Sequence, residues 1–275
     1  MYKYLFGPVP SRRLGKSLGI DVVNSKTCNM NCVFCECGLT KEFIKERKSY
    51  INLEEMKKEV LHALENIDFD CITLSGSGEP TLNKDLKEII NWLKKTTNKK
   101  IVLITNSGLL WKKELREDIK NLDVILPTIN TVYNSTFKKI NRAYEELDIS
   151  QIKKGLKALG EEFNGEILLE TFIIEGINNT KKELDGLAEF LNSIKYGKLQ
   201  LNTLDRKGTE AWVKPASKES LLKIKNYLEL KNVKNVEIIG KFKTEEKIEK
   251  NIELLKNMKS KRNYSEEELR GIFLK

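Results

Sequence analysis

Histidine is almost absent from this chain: His62 is the only one in 275 residues, beside five cysteines and five prolines. One imidazole cannot build the multi-histidine sites on which most catalytic zinc centres rest. The run Met56, Val60, Leu64 also sets His62 off the apolar stripe of its helix, as a solvated side chain. Five cysteines in so long a chain do not form a disulfide framework, and the lysine-rich composition suits a reducing cytosol. No apolar run approaches the roughly 20 residues needed to cross a bilayer. The opening Met1-Tyr-Lys-Tyr-Leu-Phe-Gly-Pro8 is broken too early for a secretory signal, so a cytoplasmic location is expected. Internal repeats, low-complexity stretches and aromatic-rich nucleic-acid motifs are also missing.

What is present bounds the fold. With 40% hydrophobic residues, the chain can bury one large α/β core, or a core with a small appendage. Short β-branched runs at Leu18–Val23, Cys71–Ser75, Ile101–Thr105, Val124–Thr128, Ile167–Ile174 and Lys198–Asn202 alternate with longer amphipathic stretches. The stretches predicted as helices are Leu53–Ile67, Lys84–Lys95, Lys112–Lys120, Ser150–Leu159, Lys181–Ile194 and Lys218–Leu228. Strand followed by helix, repeated in this way, implies parallel strands with right-handed crossovers. Periodicity alone leaves a barrel and a flat doubly wound sheet both open. In either case Gly, Asn, Ser and Thr gather where strands end, at Ser75–Leu82, Thr105–Gly108, Thr128–Asn130, Glu175–Asn178 and Asn202–Asp205. Such residues also serve ordinary turns.

The most informative segment is Cys28-Asn-Met-Asn-Cys32-Val-Phe-Cys35. Three thiols at this spacing can hold three irons of a four-iron cluster and leave the fourth open for chemistry. Ferredoxins give every iron a cysteine, and structural zinc sites close their metal with four ligands. Cys37 reads as an ordinary loop thiol, with a hydrogen donor or labile extra ligand as alternatives. Cys71 reads as a small buried hydrophobe on a strand.

The three cysteines, Phe34 before the third, and Gly78-Glu79-Pro80 about one strand and helix later resemble the radical S-adenosylmethionine (SAM) superfamily. The resemblance implies a partial (β/α)6 TIM-like barrel, expected over residues 1–232, and the change of character beyond Leu230 marks residues 233–275 as a small C-terminal extension. It implies one [4Fe-4S] cluster on Cys28, Cys32 and Cys35, and S-adenosylmethionine as the second cofactor. Gly78, Glu79 and Pro80 would then hold the methionine end with Ser77 also at the cofactor, Phe34 the adenine, Asn106 and Glu170 ribose or carboxylate groups, and Asn202 the adenine edge. A structural ion pair with a lysine is the other reading of Glu170. The expected activity is reductive cleavage of SAM to a 5′-deoxyadenosyl radical that abstracts hydrogen from a substrate. A one-electron donor, ferredoxin or flavodoxin-like, would feed the cluster.

The opening Phe6-Gly-Pro-Val-Pro-Ser-Arg-Arg-Leu-Gly and the later Leu201-Asn-Thr-Leu-Asp-Arg-Lys-Gly-Thr-Glu210 are similar to a branch of the superfamily near the wybutosine-forming tRNA enzymes. This chain departs from the archaeal members of that group, having no cysteine before Cys28 for a second cluster. The net charge is +9, and the first fifty residues carry nine basic against four acidic side chains. Such an excess favours a tRNA or other anionic substrate, although lysine-rich surfaces also serve solubility. Arg12 and Arg13 read either as anion contacts or as structural pairs closing the open side of a barrel. The alternatives in function are a peptide or protein substrate, or a non-catalytic iron–sulfur protein. Beyond Leu230, Val236–Gly240 reads as a short strand, and residues 244–258 and 265–273 as charged solvated helices.

Overall fold

The computed structural model describes residues 2–23, 26–40, 43–239, 252–261 and 264–265. Eight strands form one sheet in sequence order: β1 (Leu5–Ser11), β2 (Gly15–Asp21), β3 (Cys71–Ser75), β4 (Lys100–Thr105), β5 (Val124–Pro127), β6 (Glu166–Phe172), β7 (Lys198–Asn202) and β8 (Val236–Ile238). The helices are α1 (Leu53–Asn66), α2 (Leu86–Thr96), α3 (Lys113–Ile119), α4 (Asn134–Ile140), α5 (Ile149–Glu162), α6 (Lys181–Asn192), α7 (Lys218–Leu230) and α8 (Ile252–Lys261). From β2 to β8 every pairing is parallel, and the first and last strands do not pair, so the barrel stays open. The six strands expected from sequence are β2 to β7.

The additional strands have clear physical reasons. β1 contains Pro8 and Pro10, which suggest a rigid lead-in rather than a strand, yet it pairs antiparallel with β2 and is bulged between Phe6 and Val9. Proline cannot donate to a ladder, and an edge strand is the place where that costs least. β8 pairs with β7 across only three positions, so the first strand-like piece of the expected extension joins the main sheet. The expected helix over 265–273 falls, beyond Ser265, outside the described residues, and so does the first part of the one over 244–258.

Helices are placed by buried stripes and caps. Met56, Val60 and Ala63 bury one face of α1, while Asn52 caps it by accepting from the amides of Glu54 and Glu55 at 3.0 and 3.2 Å. Asp148 and Gln151 close a capping box at the start of α5. β3 is buried along its whole length, as parallel strands covered on both faces are. No helix among the described residues is long and apolar enough to cross a membrane.

Candidate active site

A cavity of about 410 Å³ opens at the C-terminal ends of the strands. All ten residues singled out from sequence line it: Cys28, Cys32, Cys35, Phe34, Ser77, Gly78, Glu79, Asn106, Glu170 and Asn202. The topology explains the convergence, because parallel strands end on one face and their following loops share one mouth.

The cysteine loop is anchored by an element that sequence periodicity passed over. α4 is only seven residues long, too short for a clear apolar period. Its C-terminal end nevertheless holds the loop: Asn31 N donates to Asn141 O at 3.1 Å and Val33 N to Ile140 O at 2.9 Å. Asn141 Nδ2 reaches Cys32 Sγ at 3.5 Å, and Asn106 Nδ2 reaches Cys28 Sγ at 3.6 Å. Donors on sulfur stabilise a thiolate and tune a cluster's potential. Asn141 has no motif around it and could not have been found from sequence.

The thiols are poor acids without a metal. Burial pushes Cys28 well above the ordinary thiol range and Cys32 up to about 12. Cys35 is raised by a hydrogen bond with Cys37 and by burial. Cys37, whose Sγ also donates to Gly76 O at 3.4 Å, is therefore on the cavity wall beside Cys35. Cys71 is 1% exposed on β3 and does not line the cavity. His62 is exposed and meets the Tyr2 hydroxyl at 2.6 Å, away from the cavity wall.

The loop after β3 presents Ser77, Gly78 and Glu79. Asp21, 1% exposed, accepts from Ser77 Oγ at 2.6 Å and from its amide at 3.3 Å, so the Ser77 side chain is committed to the scaffold. Lys261 of α8 pairs with Asp21 at 2.6 Å and neutralises it. Gly78 lies against the cysteine segment, where a Cβ would collide with the carbonyl oxygen of Thr27. Gly78→Ala should therefore force the cysteine loop and the loop after β3 apart. Overpacking of this kind costs about 1–3 kcal/mol of stability, which denaturant unfolding of the variant would measure.

Glu79 is 3% exposed and caps the 3-10 turn Pro80–Leu82. Its Oε1 accepts from Thr81 N at 3.1 Å, Thr81 Oγ1 at 2.6 Å and Thr105 Oγ1 at 2.6 Å, and its Oε2 from Asn106 N at 2.7 Å. No cation pairs with it among the described residues, and burial raises its pKa against the lowering effect of those donors. A buried carboxylate with one lightly used oxygen and no counter-charge fits a cationic ligand group.

The mouth is lined by ion pairs. Arg12 pairs with Asp205 and donates to Ile239 O just beyond β8, so the open side of the barrel is spanned from the β1–β2 turn. Arg13 pairs with Glu170, whose same oxygen accepts from Asn202 Nδ2 at 3.2 Å. Arg206 pairs with Glu36 at 2.8 Å and lies over the Tyr264 ring, 4.2 Å from its centroid. Burial, then Arg13 and Arg206, lower the Arg12 pKa. Of the two readings of Arg12 and Arg13, the structural pair is the one observed, and the partner of Glu170 is an arginine. Phe34 stacks on Phe172 with centroids 4.3 Å apart and planes 15° from parallel.

Half-buried cysteines with amide donors on two of their sulfurs, and a buried carboxylate without a cation among the described residues, fit an iron–sulfur cluster and a ligand bearing an ammonium group. The comparisons agree. The chain is 39% identical over 228 residues to GTPase Obg of Brachyspira hyodysenteriae, covering 82% of this chain but 34% of that protein, so it spans about a third of that relative's length. It is 35% identical over 245 residues to a UPF0026 protein of Methanocaldococcus jannaschii, covering 88% of this chain and 76% of the relative. The fold is similar to that of TYW1 with a lysine–pyruvate adduct bound, with a TM-score of 0.59 and 16% identity over 79% of this chain and 74% of that one. The profile of the Radical SAM superfamily matches residues 23–191, which contain all three cysteines and the Glu79 loop. The chain belongs to the radical SAM superfamily, enzymes that work with a [4Fe-4S] cluster and S-adenosylmethionine.

Proposed function

We propose that this radical SAM enzyme holds its cluster on Cys28, Cys32 and Cys35, seats SAM against Ser77, Gly78 and Glu79, and acts on an RNA base inserted at the cavity mouth. When bound, the cluster and SAM supply a 5′-deoxyadenosyl radical that takes a hydrogen atom from the substrate. The chain's own residues bind, orient and shield. Asn106 and Asn141 donate to two of the thiolates, and the lightly used oxygen of Glu79 receives an ammonium. Phe34, backed by Phe172, offers an aromatic face to adenine, while Asn202 and the free oxygen of Glu170 supply polar contacts for the nucleoside. The cluster would take its electron from an external donor of ferredoxin or flavodoxin type.

The observation that carries the substrate reading is the composition of the mouth. Arg12, Arg13, Arg206, Asp205, Glu36 and Tyr264 surround it with hydrogen-bonding groups and one aromatic ring. A polar, flat moiety suits such a rim better than an aliphatic one. The similarity to the wybutosine-forming tRNA branch supports the same class. Because Arg12 and Arg13 are engaged internally, approach of RNA falls to the lysine-rich outer surface that gives the chain its excess of nine positive charges.

Incubating the reconstituted, reduced enzyme with SAM and total tRNA tests this. The expected result is tRNA-dependent 5′-deoxyadenosine, a new nucleoside mass after digestion, and tRNA affinity that falls log-linearly with salt. Neutralising Arg12 and Arg13 should leave that salt slope nearly unchanged. No binding at moderate salt and no stimulation by tRNA would shift the substrate to a peptide or a small anion.

A further inference from the structure

Lys26 stands two residues before Cys28 and lines the same cavity. Its Nζ is buried and has no hydrogen-bond partner among the described residues. The backbone of Lys26 is held against the loop after β3. Lys26 has a φ of 62°, in the left-handed region, and its amide donates to Ser77 O at 3.1 Å. One residue on, Thr27 O accepts from Glu79 N at 2.9 Å. Lys26 and Glu79 are thus carried on two segments bonded side by side. Gly38 closes the other flank, where a Cβ would stand 3.1 Å from Lys26 Nζ.

Each side chain lacks what the other would supply, yet they do not pair with each other. Among the described residues the buried carboxylate of Glu79 has no cation, and the buried Nζ of Lys26 has no hydrogen-bond partner. Leaving both unsatisfied is costly unless a ligand brings the missing charges. The ligand that satisfies both has an ammonium and a carboxylate on neighbouring atoms, which is an α-amino-acid group. We infer that Lys26 binds the carboxylate of the methionyl group of SAM, opposite the ammonium received by Glu79. This rests on the role of Glu79 proposed above. It gives Lys26 a binding function that the cysteine and Gly-Glu-Pro motifs do not assign, and it accounts for an unpartnered cation beside a cluster loop.

The test is anaerobic equilibrium binding of SAM and of decarboxylated SAM, which keeps the sulfonium and amine but lacks the carboxylate, to reconstituted wild type, Lys26→Met, Lys26→Arg and Glu79→Gln. Visible absorption confirms equal cluster content. Lys26→Met should weaken SAM by about tenfold or more, the size of one charge-assisted contact, and change decarboxylated SAM less than twofold. Lys26→Arg should restore part of the loss. Equal weakening of both ligands would make Lys26 structural, and unchanged SAM affinity would remove it from the site; either overturns the inference. The two readings fail separately. Unchanged SAM affinity in Glu79→Gln, with the selective loss kept in Lys26→Met, would sink the Glu79 assignment alone.

Discussion

Cys32→Ala protein, reconstituted with iron and sulfide, should show none of the broad visible absorption of an iron–sulfur cluster, and Cys28→Ala and Cys35→Ala should match it. In the proposed ligand set each of these thiolates covers one iron, and Cys71, buried on β3, does not line the cavity. Cys35 is the more searching case, because Cys37 lies beside it on the cavity wall. Loss of the cluster in Cys35→Ala, with retention in Cys37→Ala and Cys71→Ala, would confine the ligand set to three thiols. Substantial cluster content in Cys35→Ala, lost again in the Cys35→Ala/Cys37→Ala pair, would show that Cys37 can substitute. Assembly should also release protons at neutral pH. Cys28, Cys32 and Cys35 all have raised pKa values, Cys32 near 12, so they start as thiols and must become thiolates to bind iron.

Glu79→Gln should retain the cluster and weaken SAM by roughly 1.5–3 kcal/mol, the value of a charged hydrogen bond, or about tenfold to a hundredfold in affinity. Glutamine keeps the oxygen that Thr81 and Thr105 donate to, while its amide cannot receive an ammonium and opposes the Asn106 N–H. The pH dependence separates this from simple misfolding. Burial raises the Glu79 pKa, so in the absence of ligand the neutral acid is favoured to a higher pH than for an ordinary carboxylate. An ammonium binds the ionised form, so wild-type SAM affinity should fall as pH drops through the raised pKa. The Glu79→Gln protein should lack that step. An unchanged SAM affinity in the variant would move the ammonium site elsewhere.

Much of this was legible in the sequence because the informative residues are local. The triplet Cys28, Cys32, Cys35 and the turn at Gly78-Glu79-Pro80 sit within short motifs, and β2 to β7 announce themselves by β-branched runs between amphipathic helices. What escaped depends on contacts between distant segments. β1 is hidden by its prolines, and α4 is too short to show a period, though its end supplies Asn141 to Cys32. The pairing of Arg12 and Arg13 with Asp205 and Glu170, about 190 and 160 positions away, follows from closing the open side of the barrel. Lysine 261 reaching Asp21 beneath Ser77 is another long-range contact that no local pattern encodes.

The most direct test of the account is the measurement of 5′-deoxyadenosine after the anaerobically reconstituted protein is reduced with dithionite in the presence of SAM. The predicted result is 5′-deoxyadenosine from the wild type, absent without reductant, absent in Cys32→Ala and strongly reduced in Glu79→Gln. A wild-type protein with a full cluster that binds SAM and yields no 5′-deoxyadenosine, with or without tRNA, would contradict it.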